Sequence, residues 1–285
     1  MAMEYTSGKN CQFVFADTGN EHELTLTYVH EYLPTILGPV STVRADFTRE
    51  IEAKRQYALS VWPAKGVPET IDERALTVLS PTHVPFLDLC LWKGRFPSRM
   101  AQFCTQHLKR IPLDRMCEGF EVESWRGIRR EESLNRRSAV ERERVAEGFD
   151  IVQPIVHWSA QQVVEFVLAR GVSLNLLYRQ GMHRVGCMPC HNCQKDELLD
   201  IAKRFPEHID KIREWEHLVS MATKRGWATF FVDSFLPGET DEQIFERMCV
   251  DARVRWAATA YGGRQRDFLR EAAPATCSSV YGLCD

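Results

Sequence analysis

Nowhere does the sequence hold an apolar run approaching the roughly eighteen residues that a membrane-spanning helix requires. The first thirty residues also lack the uninterrupted apolar stretch of a secretory leader. No membrane role and a cytoplasmic location are therefore expected. Internal repeats and low-complexity tracts are missing as well, which sets aside repeat arrays and compositionally disordered chains. Net charge is only −3 over 285 residues. That gives no general attraction to nucleic acid, so basic clusters have to be judged one at a time. The ten cysteines are not evenly spaced, a pattern that suits reduced thiols and metal ligands better than a disulfide framework.

What is present is an ordinary globular composition, 44% hydrophobic and 26% charged, enough for a sizeable core in one large domain or two small ones. Against that background one stretch stands out. From Tyr178 to Cys193 the chain approaches through basic residues and glycines and then places Cys187, Cys190 and Cys193 in two overlapping Cys-x-x-Cys steps. Sulfurs at this spacing on one tight turn can converge on a single soft-metal centre, and a fourth ligand has to come from elsewhere. His183 and His191 flank the thiols. His191 could replace one of them, although a supporting position beside the ligands suits it better.

In chain order, Cys11 to Ala16 reads as a buried parallel strand that stops at Asp17-Thr18-Gly19. Ligands of open α/β sheets bind beyond such carboxyl ends, which makes Asp17 and Gly19 candidate binding residues. Apolar residues at helical spacing over 21–37, then a short strand over 41–45, complete a β-α-β unit. Further helices are expected over 47–62 and 71–79 and from Pro97 towards Cys117. A strand is expected over 120–128. Between Arg126 and Glu147 lie seven arginines and five glutamates. The spacing of Arg142 and Arg144 suggests a solvated, charge-laced helix, whereas Arg129 and Arg136 follow a strand end and a glycine, where a guanidinium fork can grip a phosphate or sulfate. A strand with Pro154 at its edge or boundary follows over 151–156. Ser159 then caps a helix that stops at Gly171. Helices are expected over 196–223, interrupted at Pro206, and over 241–261. Cys11, Cys90, Cys117 and Cys249 sit in apolar or helical contexts and read as core.

The order of these features carries a resemblance. It consists of a strand running into Asp17-Thr18-Gly19; Cys104 with Lys109 and Pro112; Gly127-x-Arg129-x-x-Glu132-Ser133-x-x-Arg136; Pro154-Ile155-x-x-Trp158-Ser159; Asn175-x-x-Tyr178-x-x-Gly181; and Gly186-Cys187-x-x-Cys190. Over residues 11 to about 215 the chain resembles the phosphoadenosine phosphosulfate (PAPS) reductase family of PP-loop proteins, in its phage and prophage branch. The resemblance implies a Rossmann-like, adenine nucleotide alpha hydrolase-like parallel sheet flanked by helices over 1–195, followed by a helical C-terminal region and tail over 196–285. It implies an adenine nucleotide, ATP or PAPS-like, at the strand ends. Lys109, Arg129, Ser133 and Arg136, with Asp17 and Gly19, would line the anionic end. It also implies a [4Fe-4S] cluster on Cys104, Cys187 and Cys190 with Cys193 completing four thiolates. Zinc on the same four ligands is the alternative. Implied partners are a phosphosulfate substrate, a thiol reductant such as thioredoxin and, by way of the Arg126 to Arg144 segment, nucleic acid that receives sulfur.

Two departures shape the functional expectation. The family's Ser-Gly-Gly-x-Asp-Ser-type turn belongs ahead of Asp17, where Ser7-Gly8-Lys9 does not match it; backbone N–H groups of that turn hold phosphate, so ATP hydrolysis is not expected. The tail reads Tyr281-Gly-Leu-Cys284-Asp285 where sulfonucleotide reductases carry a Glu-Cys-Gly-Leu-His-like motif. Cys284 is the candidate nucleophile, with Cys277 as a redox partner, although the acidic surroundings of Cys284 oppose thiolate formation. The expected function is reductive or sulfur-transfer chemistry on an activated sulfate. The alternative is a degenerate, metal-stabilised binding or regulatory protein.

Overall fold

A computed structural model describes residues 11–260. The architecture is α/β, with parallel strands flanked by helices in the Rossmann-like manner that the sequence order implies. Strand β1 (Phe13–Asp17) pairs in parallel with β2 (Val40–Arg44), in a register that sets Phe13 opposite Val40 and Asp17 opposite Arg44. Helix α1, over 23–37, makes the crossover; its middle turn, Tyr28–Tyr32, is wound as a π-helix, and Gly38 at φ 80° ends it. A second sheet has the order β3 (Val122–Trp125), β5 (Phe149–Val152), β4 (Arg142–Ala146), parallel between the first two and antiparallel between the last two.

The expected helix through Arg142 and Arg144 is therefore an edge strand. Gly148, at φ 73°, turns the chain back so that β4 and β5 form a hairpin, and Arg142 and Arg144 both reach Asp150 on the neighbouring strand. Charges that would also pair along a helix here pair across a ladder. Pro154 falls just after β5, which is the central strand, so it marks a boundary and not an edge.

Helix α2 (Thr48–Val61) and α3 (Glu69–Val78) follow β2, close to where the apolar spacing puts them. The next helix was not legible from periodicity. α4 (Pro85–Lys93) buries every residue from Pro85 to Leu91; a helix apolar all round has no polar face to betray its period. It starts on Pro85, which suits a first turn, and its buried Asp88 accepts hydrogen bonds from the N–H and hydroxyl of Thr82 and the N–H of His83. Pro97 does not open the following helix. Ser98 and Ala101 close a turn on each other instead, and α5 runs from 103 to 116 with a π-helical stretch over Thr105–Arg110. α5 packs on β1, β2 and α4.

After α6 (Ala160–Leu168), capped by Ser159 and Gln162 as expected, and α7 (Leu176–Arg179), capped by Asn175, come α8 (Lys195–Arg204) and α9 (Pro206–Met221). These last two share the hydrophobic core with α4. Phe86 stacks on Trp215 at 5.6 Å and touches Phe230 at 6.0 Å. The final expected helix is split at Cys249 into α10 (Asp241–Met248) and α11 (Val250–Ala257). Glu216 of α9 explains the break, because its buried carboxylate accepts the Phe230 N–H at 2.7 Å and the Val250 N–H at 3.0 Å. Of the four cysteines read as core, only Cys90 is buried. Cys117 and Cys249 are half-buried and Cys11 is exposed.

Among the described residues, no helix is long and apolar enough to cross a membrane.

Two expected outcomes follow from this packing. Burial pushes Glu216 up to about 7 despite its backbone donors. A folded-state pKa above the unfolded one gives stability that is complete in acid and lost as the pH rises towards 7. Chemical denaturation at a series of pH values should show roughly 3 kcal/mol of this loss in the native chain, and Glu216→Gln should flatten it. Gly19 sits at φ 76°, where a Cβ would lie 2.8 Å from Cδ of Pro85. Gly19→Ala should cost roughly 2 kcal/mol in urea unfolding.

Candidate functional site

The loop after β1 is held by one carboxylate. Glu21, buried, accepts the Thr18 N–H at 3.1 Å, the Thr18 hydroxyl at 2.7 Å and the Asn20 N–H at 3.2 Å. Asp17 accepts the Gly19 N–H at 2.8 Å and pairs with Arg44 at 3.1 Å. So shaped, the loop meets the cysteine turn directly. Glu21 and Cys187 form an isolated antiparallel bridge, Met188 donates its N–H to the Asn20 carbonyl at 2.7 Å, and the Asn20 amide donates to the Pro189 carbonyl at 3.0 Å. Thr18 Oγ1 lies 3.4 Å from Cys187 Sγ. The same loop also anchors α4, through the Phe86 N–H on the Thr18 carbonyl at 2.8 Å.

The four expected ligand cysteines arrive from three places. Cys104 stands at the start of α5, Cys187 and Cys190 lie on the turn, and Cys193 immediately precedes the N-cap of α8. Within the turn the Cys193 N–H bonds the Cys190 carbonyl at 2.9 Å and the Asn192 N–H points at Cys190 Sγ at 3.4 Å. The thiols feel one another. Burial, then the neighbouring Cys187 and Cys190, push Cys104 up to about 11. Burial raises Cys187, and Glu21 adds to the rise while Lys109 opposes it. Burial, then Glu197 and Cys190, drive Cys193 well above the ordinary thiol range. Such a set remains protonated at neutral pH until a cation offsets the charge, and a bound metal would release the protons.

The four thiols are a donor set that an iron-sulfur cluster or a single zinc ion could use. Around one zinc, with Zn–S near 2.3 Å, four sulfurs stand about 3.8 Å apart. Among the described residues no three thiols come within 4.8 Å of one another. A cluster spreads its ligands over separate iron corners and needs no such crowding. Buried polar atoms without partners also gather at this turn and loop: His191 Nε2, Asn192 Oδ1 and Asn20 Oδ1. Burial, then Arg184 and Arg99, push His191 down to about 4, so it is neutral here.

The group that does converge within 4.8 Å is His22, Glu207 and His208. The two imidazoles stack at 4.9 Å, and His208 Nδ1 lies 3.1 Å from the Met188 carbonyl and 3.2 Å from Lys211 Nζ. His22 Nδ1 accepts the Leu24 N–H, which leaves the hydrogen on Nε2, the wrong tautomer for a ligand there. With an ammonium alongside, this pair braces the cysteine turn from behind.

Basic groups crowd the front. Lys109 acts on Cys187. Arg184, which the sequence reading did not single out, loses by burial but is held charged by Cys190, Glu197 and Cys187. Arg136 is lowered by burial and then by the like charges of Arg184 and Arg129. Three guanidinium groups thus share one region. Glu131 and Glu132 occupy Arg129, and Glu132 also contacts Arg136. Arg136 lines a cleft of about 500 Å³ whose floor includes buried Gln153, with an unpartnered Oε1. Ser133 is exposed, and its side chain caps nothing. Cys277 and Cys284 lie outside the described residues. Arg184 stood within the basic approach to the cysteines. Thr18, Asn20 and Glu21 had no signal beyond their place after a strand.

Comparison with known proteins identifies the family. Residues 81–193 match the phosphoadenosine phosphosulfate reductase domain. A 37.8 kDa protein from the gpa 5' region of Escherichia phage 186 is 41% identical over 95% of this chain and 88% of its own length. The nin region protein ORF290 of Escherichia phage lambda is 28% identical over 46% of this chain and 43% of its own length. The adenosine 5'-phosphosulfate reductase of Neisseria meningitidis serogroup A is 40% identical over 34% of this chain, and the match spans 42% of that enzyme. With this coverage, this order of motifs and this fold, the chain belongs to the phosphoadenosine phosphosulfate reductase family.

Proposed function

We propose that the chain binds an adenine nucleotide carrying a phosphosulfate or similar anionic end, beside a [4Fe-4S] cluster on Cys104, Cys187, Cys190 and Cys193, and serves reductive or sulfur-transfer chemistry. The observation that carries this reading is the convergence of Arg136, Arg184 and Arg129 beside a turn of buried thiols. Arg184 and Arg129 lower Arg136, and a further anion among the three would relieve that repulsion. An activated sulfate supplies that anion and a forked arrangement for guanidinium groups. The proposed division is an α/β unit over 1–195 that holds the site and a helical region over 196–285 that supports it.

In this reading each group has a separate task. Arg136 and Arg184 bind the anionic oxygens, with Arg129 released from Glu131 when ligand enters. Lys109 places positive charge next to Cys187. Asp17, with both oxygens engaged by Gly19 and Arg44, shapes the β1 loop. A bound cluster would tie Cys104 of α5 to the cysteine turn and place a redox-capable centre there. Reduction of the sulfate needs a thiolate to attack sulfur, which forms an S–S bond and expels the nucleotide with the S–O electron pair; a second thiol then displaces sulfite and leaves a disulfide. Cys284 is the proposed attacking thiol, and a thioredoxin-like protein the proposed reductant.

Anaerobic purification followed by iron, sulfide and zinc analysis tests the metal. Iron and sulfide in equal amounts, lost in Cys187→Ala and Cys104→Ala, is the expected result; a colourless zinc-loaded protein would remove the cluster from this proposal. Equilibrium binding of adenosine 5'-phosphosulfate tests the anion site. Arg136→Ala and Arg184→Ala should each weaken binding roughly tenfold or more, with little change for adenosine. Equal affinity of all three proteins for the phosphosulfate would refute the assignment.

A further inference from the structure

A second basic cleft lies at the other end of α4. The N-terminus of this nine-residue helix touches the β1 loop. At 1.5 Å per residue its C-terminus is roughly 12 Å further on. There, between α2, Lys93-Gly94 and residues 222–224, is a cleft of about 490 Å³. Its wall holds three lysines, Lys54, Lys93 and Lys224, and three aromatic rings, Tyr57, Trp62 and Trp92. Glu50 is the single carboxylate in the lining.

Glu50 acts on Lys93 through space, and the three ammonium groups outnumber it. Among the described residues none of these three lysines is in a salt bridge. Lys93 Nζ sits over the Trp92 ring at 3.6 Å and Lys224 Nζ over Trp62 at 5.3 Å, contacts that hold an ammonium without neutralising it. Lys54 Nζ donates to the Leu91 carbonyl at 2.6 Å, near the C-terminal end of α4. An ammonium has three donors, so two are left over at a site where burial lowers the group to about 8. Trp62 is 3% exposed and its Nε1 has no hydrogen-bond partner. Tyr57, 43% exposed, presents a flat apolar face at the rim.

Ammonium groups outside any ion pair beside the one exposed ring, that of Tyr57, describe a ligand that is anionic at one end and flat at the other. We infer that this cleft binds a nucleoside phosphate, free or as the end of a nucleic-acid strand, its phosphate among Lys54, Lys93 and Lys224 and its base against the aromatic wall. The site is separate from the arginine pocket at the cysteine turn, so either assignment stands without the other. Ring stacking and a cationic groove are the two terms that single-strand and nucleotide sites combine.

The test is calorimetric titration of the full chain with AMP, adenosine and inorganic phosphate, together with a 5'-phosphorylated thymidine decamer. Three proteins are compared: the native chain, Arg136→Ala/Arg184→Ala, and Lys93→Glu/Lys224→Glu, the last changing side chains at the cleft mouth so that the core is left intact. A Lys54→Met variant, checked by thermal melting, probes the floor. AMP should bind the arginine variant with undiminished affinity at this site and bind the lysine variant roughly tenfold more weakly or worse. Tighter binding of the decamer than of AMP, lost on the same lysine changes, would identify a strand as the source; equal binding would identify the free nucleotide. AMP affinity indifferent to Lys93 and Lys224, or inorganic phosphate binding as tightly as AMP, would overturn the inference.

Discussion

One buried carboxylate organises the functional end of this molecule. Glu21 gathers two backbone N–H groups and a hydroxyl from the four residues around it. A polar group so deeply placed is tolerable only when its lone pairs are filled. The bonds that fill them fold the β1 loop into a compact turn, whose outward face offers the Asn20 carbonyl and amide to the cysteine turn and the Thr18 carbonyl to α4. Three segments distant in sequence therefore share a hinge point.

Around that point the structure gathers thiols and guanidinium groups, with Arg129 and Arg136 paired to Glu131 and Glu132 and Arg184 lying 3.9 Å from Glu197. Thiols raised by burial share this region with Arg184, whose charge lowers Arg136. Folding alone would select against such crowding, and apolar packing would be more stable. Function explains its persistence, since sites built to hold ions are where such mismatches gather. In the core, α4 and α9 meet through Phe86 and Trp215, with Phe230 against Phe86, and the buried Asp88 and Glu216 have their oxygens filled by backbone and hydroxyl donors.

Much of this was legible in the residues. Cys-x-x-Cys repeats, the Ser159 cap, Gly171 as a stop, Pro206 as an interruption and the strand ending at Asp17 all encode local geometry in single side chains, and local geometry survives into the fold. What was hidden depends on partners. α4 buries its whole circumference, so no period marks it. Arg142 and Arg144 have spacing that suits a helix, and only the Gly148 hairpin decides for a ladder. The break at Cys249 comes from Glu216, thirty-four positions away along the chain. Arg184 looks like any basic loop residue until its neighbours are placed. Glu21 gives no signal at all, because a glutamate at the start of a helix is ordinary.

The bridge between Glu21 and Cys187 makes the two halves of the site a linked system. Backbone bonds join the loop that faces the nucleotide side to the turn that carries three of the thiols, so neither can reorder alone. In the proposed function any coupling through this bridge is reciprocal: whatever free energy metal binding lends to anion binding, anion binding returns to metal retention.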